Sequence, residues 1–184
     1  ECMRDILLKV LNNYLLLFPE EQQRQSILTN YLKTHKDEEI TDWNNFDGHI
    51  VAGGFIYAKE ENKFLVLYHN DLKMFLYPGG HVDSSDTNTL SASKREIQEE
   101  TGLHVTEEQI SYLFTLPNTY RFSDFLVHTT DAFFHVRIHS GMNIEAKDDV
   151  EACWWVKPQE LDTTAIGLDS VRKGVEKWLD NKER

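Results

Sequence analysis

The sequence predicts a mixed fold, α+β or α/β, with helices lying on the faces of a sheet. Three observations carry this. Residues 5–33 have helical periodicity; from His49 onward short β-branched and aromatic runs alternate with turn residues; residues 170–181 return to a helical period. No internal repeat or low-complexity tract interrupts the pattern.

The elements follow in order. In residues 5–18, Ile6, Leu7, Val10, Leu11, Tyr14, Leu15 and Phe18 recur at helical spacing. Pro19 stops this helix and suits the start of another, over residues 20–33, with Ile27, Leu28, Tyr31 and Leu32 on one side. The polar stretch THKDEEITDWNNFDGH then reads as a connector. Residues 1–45 are thus expected to be an N-terminal helical extension, and 46–184 the main domain. HIVAGGFIYA and KFLVLYH form a strand pair, and KMFLYPGG leads into a glycine turn. QISYLFTL, FLVHTT, DAFFHVRIH and EACWWVK are later strands, divided by Pro117, Asn118, Gly141 and residues 148–149. Val171, Val175, Trp178 and Leu179 give the closing helix its inner face.

Composition narrows the function. The chain has 184 residues, 40% hydrophobic and 27% charged, with a mean hydropathy of −0.50, values of a soluble globular domain. A net charge of −12 argues against binding nucleic acid through its phosphates, though a divalent cation can reverse the sign locally. No apolar run is long enough for a membrane, and no secretory leader pattern is seen. Cys2 and Cys153 form no metal or disulfide pattern, so a reducing cytoplasm is expected. The apolar excess at residues 15–18 suggests a sheet-edge cover or a homodimer contact.

The chemistry concentrates in PGGHVDSSDTNTLSASKREIQEETGL, residues 78–103. Asn88 is placed to cap a helix and Gly102 to end it. On that helix Glu96, Glu99 and Glu100 fall within an arc of roughly 100°. Such a cluster is ordinarily a solvated face. Here it follows paired glycines, where backbone approaches a ligand closely, and hard oxygen ligands beside such a loop suit Mg²⁺ or Mn²⁺.

The stretch resembles the Nudix box, G-x5-E-x7-R-E-U-x-E-E-x-G-U, where U is bulky and aliphatic. Arg95, Glu96, Ile97, Glu99, Glu100, Gly102 and Leu103 match its second half. The first half departs from it. Counted from Gly80 the glutamate position holds Asp86, and eight residues rather than seven separate this from Arg95. We read a one-residue insertion, with Asp86 or Asp83 replacing the glutamate. The resemblance implies an α/β/α sandwich with a mixed central sheet, and Mg²⁺-dependent (or Mn²⁺-dependent) hydrolysis of a nucleoside diphosphate linked to another moiety. It implies Glu96, Glu99, Glu100 and the Gly80 carbonyl as metal ligands, with Arg95 orienting Glu99 and the loop. The catalytic set is then Arg95, Glu99, Glu100 and a general base. Asp148, Asp149 and Glu151 are candidates for the base, with Asp149 favoured by its spacing from Trp155. His81, Tyr120 and Arg121 are candidate substrate contacts, and one of Trp154 and Trp155 a stacking surface. Two other functions share this fold. One is a non-catalytic nucleotide sensor. The other, isopentenyl-diphosphate isomerase, needs a strand cysteine near the site, a context neither cysteine has.

Overall fold

The computed structural model describes residues 2–139 and 142–181; Gly141 lies outside them. It is an α/β/α sandwich. Helices α1 (Met3–Leu17), α2 (Ser26–Thr34) and α3 (Asp37–Ile40) precede strands β1 (His49–Ala58), β2 (Lys63–His69), β3 (Met74–Leu76) and β4 (Gly79–His81). Helix α4 (Thr89–Thr101), strands β5 (Ile110–Phe122), β6 (Phe125–Ile138) and β7 (Val150–Val156), and helix α5 (Asp169–Asn181) complete the order. The strands run β3-β2-β1-β6-β5, with β4 added to β1 and β7 to β2. Because β1 and β6 are parallel and the other pairings antiparallel, the sheet is mixed.

Strand alternation sends side chains to two cores. One face buries Ile50, Ala52, Ile56 and Phe134 against Ile97 of α4 and against Leu7, Leu11, Leu28 and Leu32 of α1 and α2. The other buries Phe55, Phe64 and Phe133 against Val171, Val175 and Trp178 of α5. The N-terminal helices therefore share a core with the sheet. Polar ties reinforce this: buried Gln25 donates Nε2–H to the Thr115 carbonyl at 3.0 Å, and His128 N–H donates to the Phe46 carbonyl at 2.7 Å.

Several expected boundaries shift. Residues 20–33 are not one helix; a 3₁₀ turn at Pro19–Glu21 precedes α2. The connector holds α3, whose Glu39 side chain accepts from the Lys36 N–H at 2.7 Å. Pro78-Gly79-Gly80 is not a free turn, because Gly79–His81 pairs with residues 51–53 of β1. Pro117 and Asn118 lie inside β5, opposite Thr130 and Thr129. β5 is an edge strand, where a proline's missing N–H is tolerated when it faces outward. FLVHTT and DAFFHVRIH join into the single strand β6, because residues 129–136, across the junction, pair with both β1 and β5. Trp155 packs against the α4-side core, while Trp154 is half-exposed against Phe75, their rings 5.6 Å apart.

Candidate active site

Helix α4 is built as its sequence suggests. Asn88 Oδ1 accepts from the Ser91 N–H at 2.8 Å, and Ser91 Oγ accepts from the Asn88 N–H at 3.1 Å, a reciprocal cap worth about 1 kcal/mol. Gly102 ends the helix at φ +73°, a left-handed position that favours glycine. Between these ends, the three carboxylates straddle the boundary between core and solvent. Glu100 is 4% exposed and accepts from the Gly79 N–H at 2.8 Å. Glu96 is largely covered; Glu99 stands at the surface.

Arg95 ties the helix to the loop. Its Nη1 donates to Glu96 at 2.7 Å and to Glu99 at 2.9 Å; its Nη2 donates to the His81 carbonyl at 2.8 Å and to Asp86 at 2.9 Å. Asp86 therefore occupies the place of the loop glutamate. The spacing from Gly80 to Asp86 is that of the box, so the extra residue lies between Asp86 and Arg95; ahead of it, Asp83 accepts from the Ser85 N–H at 2.7 Å and gives its own N–H to Asp86 at 2.8 Å. Burial opposes charge on Arg95, but Asp86, Glu96 and Glu99 outweigh it and the guanidinium stays firmly protonated.

Burial pushes the Glu96 carboxyl up to about 7, although Arg95 pulls the other way. Glu100 is also pushed up by burial, opposed by the Gly79 N–H and reinforced by Glu96, Asp148 and Asp149. The Glu96 carboxyl lies against Gly80: a Cβ there would sit 2.6 Å from a Glu96 oxygen, so any side chain would have to displace that carboxyl. Both glycines thus let the main chain lie against buried acids, one by spacing and one by hydrogen bonding. Among the described residues no group of three or more His, Cys, Asp or Glu side chains is placed to hold a metal ion. The donors present still fit Mg²⁺, which commonly takes one or two carboxylates and completes its shell with water and substrate phosphate.

These groups border a cavity of about 410 Å³, within the usual range for ligand sites. Gly80, His81, Glu96, Glu99, Glu100, Tyr120 and Asp149 all line it; Arg95 supports it from behind. Asp148 lines it too, at φ +52°, so the site holds two adjacent loop acids. Their loop is pinned to the end of α4, with the Lys147 N–H donating to the Glu100 carbonyl at 2.9 Å and the Glu145 N–H to the Thr101 carbonyl at 3.1 Å. Glu151 is exposed on β7 and borders no part of the cavity. Arg121 is likewise exposed and outside the lining, because strand alternation turns it away from Tyr120 and Phe122. Neither Trp154 nor Trp155, and neither cysteine, reaches the cavity.

Residues 47–179 match the NUDIX domain. The chain belongs to the Nudix family. Its class is that of the Nudix hydrolases. The fold is similar to the Escherichia coli dihydroneopterin triphosphate pyrophosphohydrolase, at 19% identity over 72% of this chain and 95% of that one, with a TM-score of 0.60. It is also similar to the NUDIX domain of Shewanella oneidensis NrtR complexed with ADP ribose, at 14% identity over 84% and 97%, TM-score 0.60. A third likeness is to the MutT NUDIX hydrolase from Burkholderia pseudomallei, at 19% identity over 69% and 95%, TM-score 0.57. No curated protein matches the chain by sequence.

Other lining residues come from outside the box. Trp43, Phe46 and His49 come from the connector and the start of β1; Asn118, Thr129 and Asp131 come from β5 and β6. Two large aromatics in the otherwise polar TDWNNFDGH were the available signal for the first group. His49 donates Nδ1–H to the Asn45 carbonyl at 2.8 Å, and burial lowers its pKa. Its buried Nε2 is therefore an acceptor, with no partner among the described residues.

Proposed function

We propose that the chain hydrolyses a diphosphate linkage in a nucleoside diphosphate joined to another moiety, with Mg²⁺ or Mn²⁺ as cofactor. The observation that carries this is the pair Glu96 and Glu100, buried beside Gly79 and Gly80 at the wall of the cavity. Glu96, Glu100 and the Gly80 carbonyl would hold the cation, with Glu99 contributing from the rim. When bound, it polarises the diphosphate and makes water a better nucleophile at neutral pH. Arg95 holds Glu96, Glu99 and the loop in one geometry. Asp149 is our choice of general base, beside Asp148. His81 and Tyr120 face the substrate; Arg121, outside the lining, is not assigned a contact. The names of two similar structures, one acting on dihydroneopterin triphosphate and one complexed with ADP ribose, support a ligand that joins phosphates to a heterocycle.

The test is phosphate or nucleotide release from a panel of nucleoside diphosphate derivatives with Mg²⁺. Expected are turnover with Mg²⁺ or Mn²⁺ and none after chelation. Binding without turnover on any substrate would favour the sensor reading instead.

Residues 46–184 are proposed as the catalytic domain, acting in the cytoplasm, and 1–45 as an extension that completes the cavity wall. No described helix is long and apolar enough to cross a membrane. Leu16, Leu17 and Ile27 stay exposed at 81%, 74% and 71%, and would supply a homodimer contact. Replacing all three by serine should leave turnover intact and halve the mass in light scattering if that contact exists.

A further inference from the structure

At the α5 side of the cavity, polar groups are buried with unused hydrogen-bonding capacity. Asn118 and Asp131 both line the cavity and are 5% and 2% exposed. Asn118 stands opposite Thr129 in the β5–β6 ladder; Asp131 follows two residues later on the same face. Their orientation is fixed from outside the cavity. Asn118 Oδ1 accepts from the Ser170 N–H in the first turn of α5, at 3.5 Å. Asp131 accepts from the Ser170 hydroxyl at 2.5 Å and from the Thr129 hydroxyl at 2.6 Å.

Anchoring α5 explains those three bonds and leaves three facts over. Among the described residues, buried Asn118 Nδ2 finds no acceptor, and the buried Tyr77 hydroxyl, also in the lining, finds no partner. Asp131 has no cationic partner among the described residues, although each of its oxygens can accept once more. Burying such groups unpaired is costly, and a core built only for packing would replace them by apolar side chains.

We propose that Asn118 and Asp131, with Tyr77, form a recognition subsite for a nitrogen heterocycle that presents a hydrogen-bond acceptor beside an N–H donor, as along the edge of a nucleobase or a pterin-like ring. Asn118 Nδ2–H donates to the ring acceptor, and Asp131 accepts from the ring N–H or amino group. The Tyr77 hydroxyl supplies a third bond. The proposal rests on the hydrolase reading and deepens it: the carboxylate end of the cavity takes the phosphates, and this end selects the group attached to them.

The experiment compares kcat/KM for nucleoside triphosphates with kcat/KM for ribose 5-triphosphate, which carries the same chain and no ring. Wild type should favour at least one ring-bearing substrate by about a hundredfold, since a site built for hydrogen bonds discriminates strongly. Asp131→Asn and Asn118→Ala should each shrink that preference about tenfold, chiefly through KM. Tyr77→Phe, which removes one hydroxyl and keeps the ring, covers the case in which Asn118→Ala fails to fold. No preference in wild type, or an unchanged preference in Asp131→Asn and Tyr77→Phe, overturns the subsite. If nothing at all is hydrolysed, the hydrolase reading fails by itself. Calorimetry with nucleoside monophosphates then decides the subsite: binding weakened by Asp131→Asn supports it, and no binding or equal binding overturns it.

Discussion

The two ends of the cavity bury carboxylates under different regimes. At the α4 end, Glu96 and Glu100 lie against a permanent cation and open backbone: Arg95 on one side, Gly79 and Gly80 on the other. At the α5 end, Asp131 has two hydroxyls and, among the described residues, no cation. Burial raises the carboxyl pKa at both ends. The first arrangement leaves acid oxygens crowded together, which suits a divalent cation; the second leaves one acceptor beside an idle donor, which suits a neutral ring edge. On the proposed function, charge density would mark the end for chemistry, and donor–acceptor alternation the end for selection.

The sharpest way to break this contrast is to neutralise the α4 end. Glu96→Gln and Glu100→Gln should each lower kcat/KM about a thousandfold or more, with the fold intact, because the glutamine keeps the volume and removes the charge. Glu99→Gln should cost less, since Glu99 is about half exposed and faces Arg95. Near-wild-type turnover in the first two variants would reduce the acids to a decorated helix face.

Arg95→Ala should come next, at about a hundredfold in kcat/KM. It frees Glu96, Glu99, Asp86 and the His81 carbonyl together. Asp86→Ala should reproduce only part of that loss. If instead Asp83→Ala is the more damaging, the reading of the inserted loop is wrong.

How much of this was legible follows chain continuity. The acids of the α4 end come mostly from one stretch, residues 79–103, so their spacing shows in the sequence, including the ion pair of Asp86 with Arg95; Asp148 and Asp149 join them from a distant loop. The α5 end joins Asn118, Thr129, Asp131 and Ser170, which only the β5–β6 register and the packing of α5 bring together. Pro117-Asn118 reads locally as a break, and edge-strand pairing overrides that preference. Asp131 stands between two threonines and an apolar run; its partner Thr129 is two residues away, but nothing local announces Ser170, 39 residues on. Arg121 shows the converse: its type suits phosphate, but strand parity turns it outward.

Trp43 offers a smaller test of the cavity wall. It is 59% exposed at the cavity wall, its ring 6.2 Å from that of His81. Trp43→Ala should raise KM for ring-bearing substrates about fivefold to tenfold with little change in kcat or melting temperature, as loss of one stacking surface predicts. A fall in kcat instead would place Trp43 at the catalytic end.

The smallest effect separates the two ends by stability alone. In the folded protein Glu96 is raised to about 7 from an ordinary value of 4.5, and Asp131 to about 6 from 3.8. Below the ordinary values both states are protonated. As pH rises, the unfolded chain loses these protons first, so the metal-free protein should weaken, by about 6 for Asp131 and by about 7 for Glu96. The Glu96 loss is on the order of 3 kcal/mol at most. Urea midpoints in EDTA from pH 4 to 8 should therefore fall, and Glu96→Gln should flatten the curve up to about pH 7. Asp131→Asn should flatten only the part below about pH 6. Mg²⁺ added at pH 8 should restore stability to wild type and to Asp131→Asn, because binding to the folded state alone is stabilising, and should restore much less to Glu96→Gln. Equal rescue of Glu96→Gln and Asp131→Asn would mean that the cation does not distinguish the two ends, and the contrast between a charged end and a selecting end would fall with it.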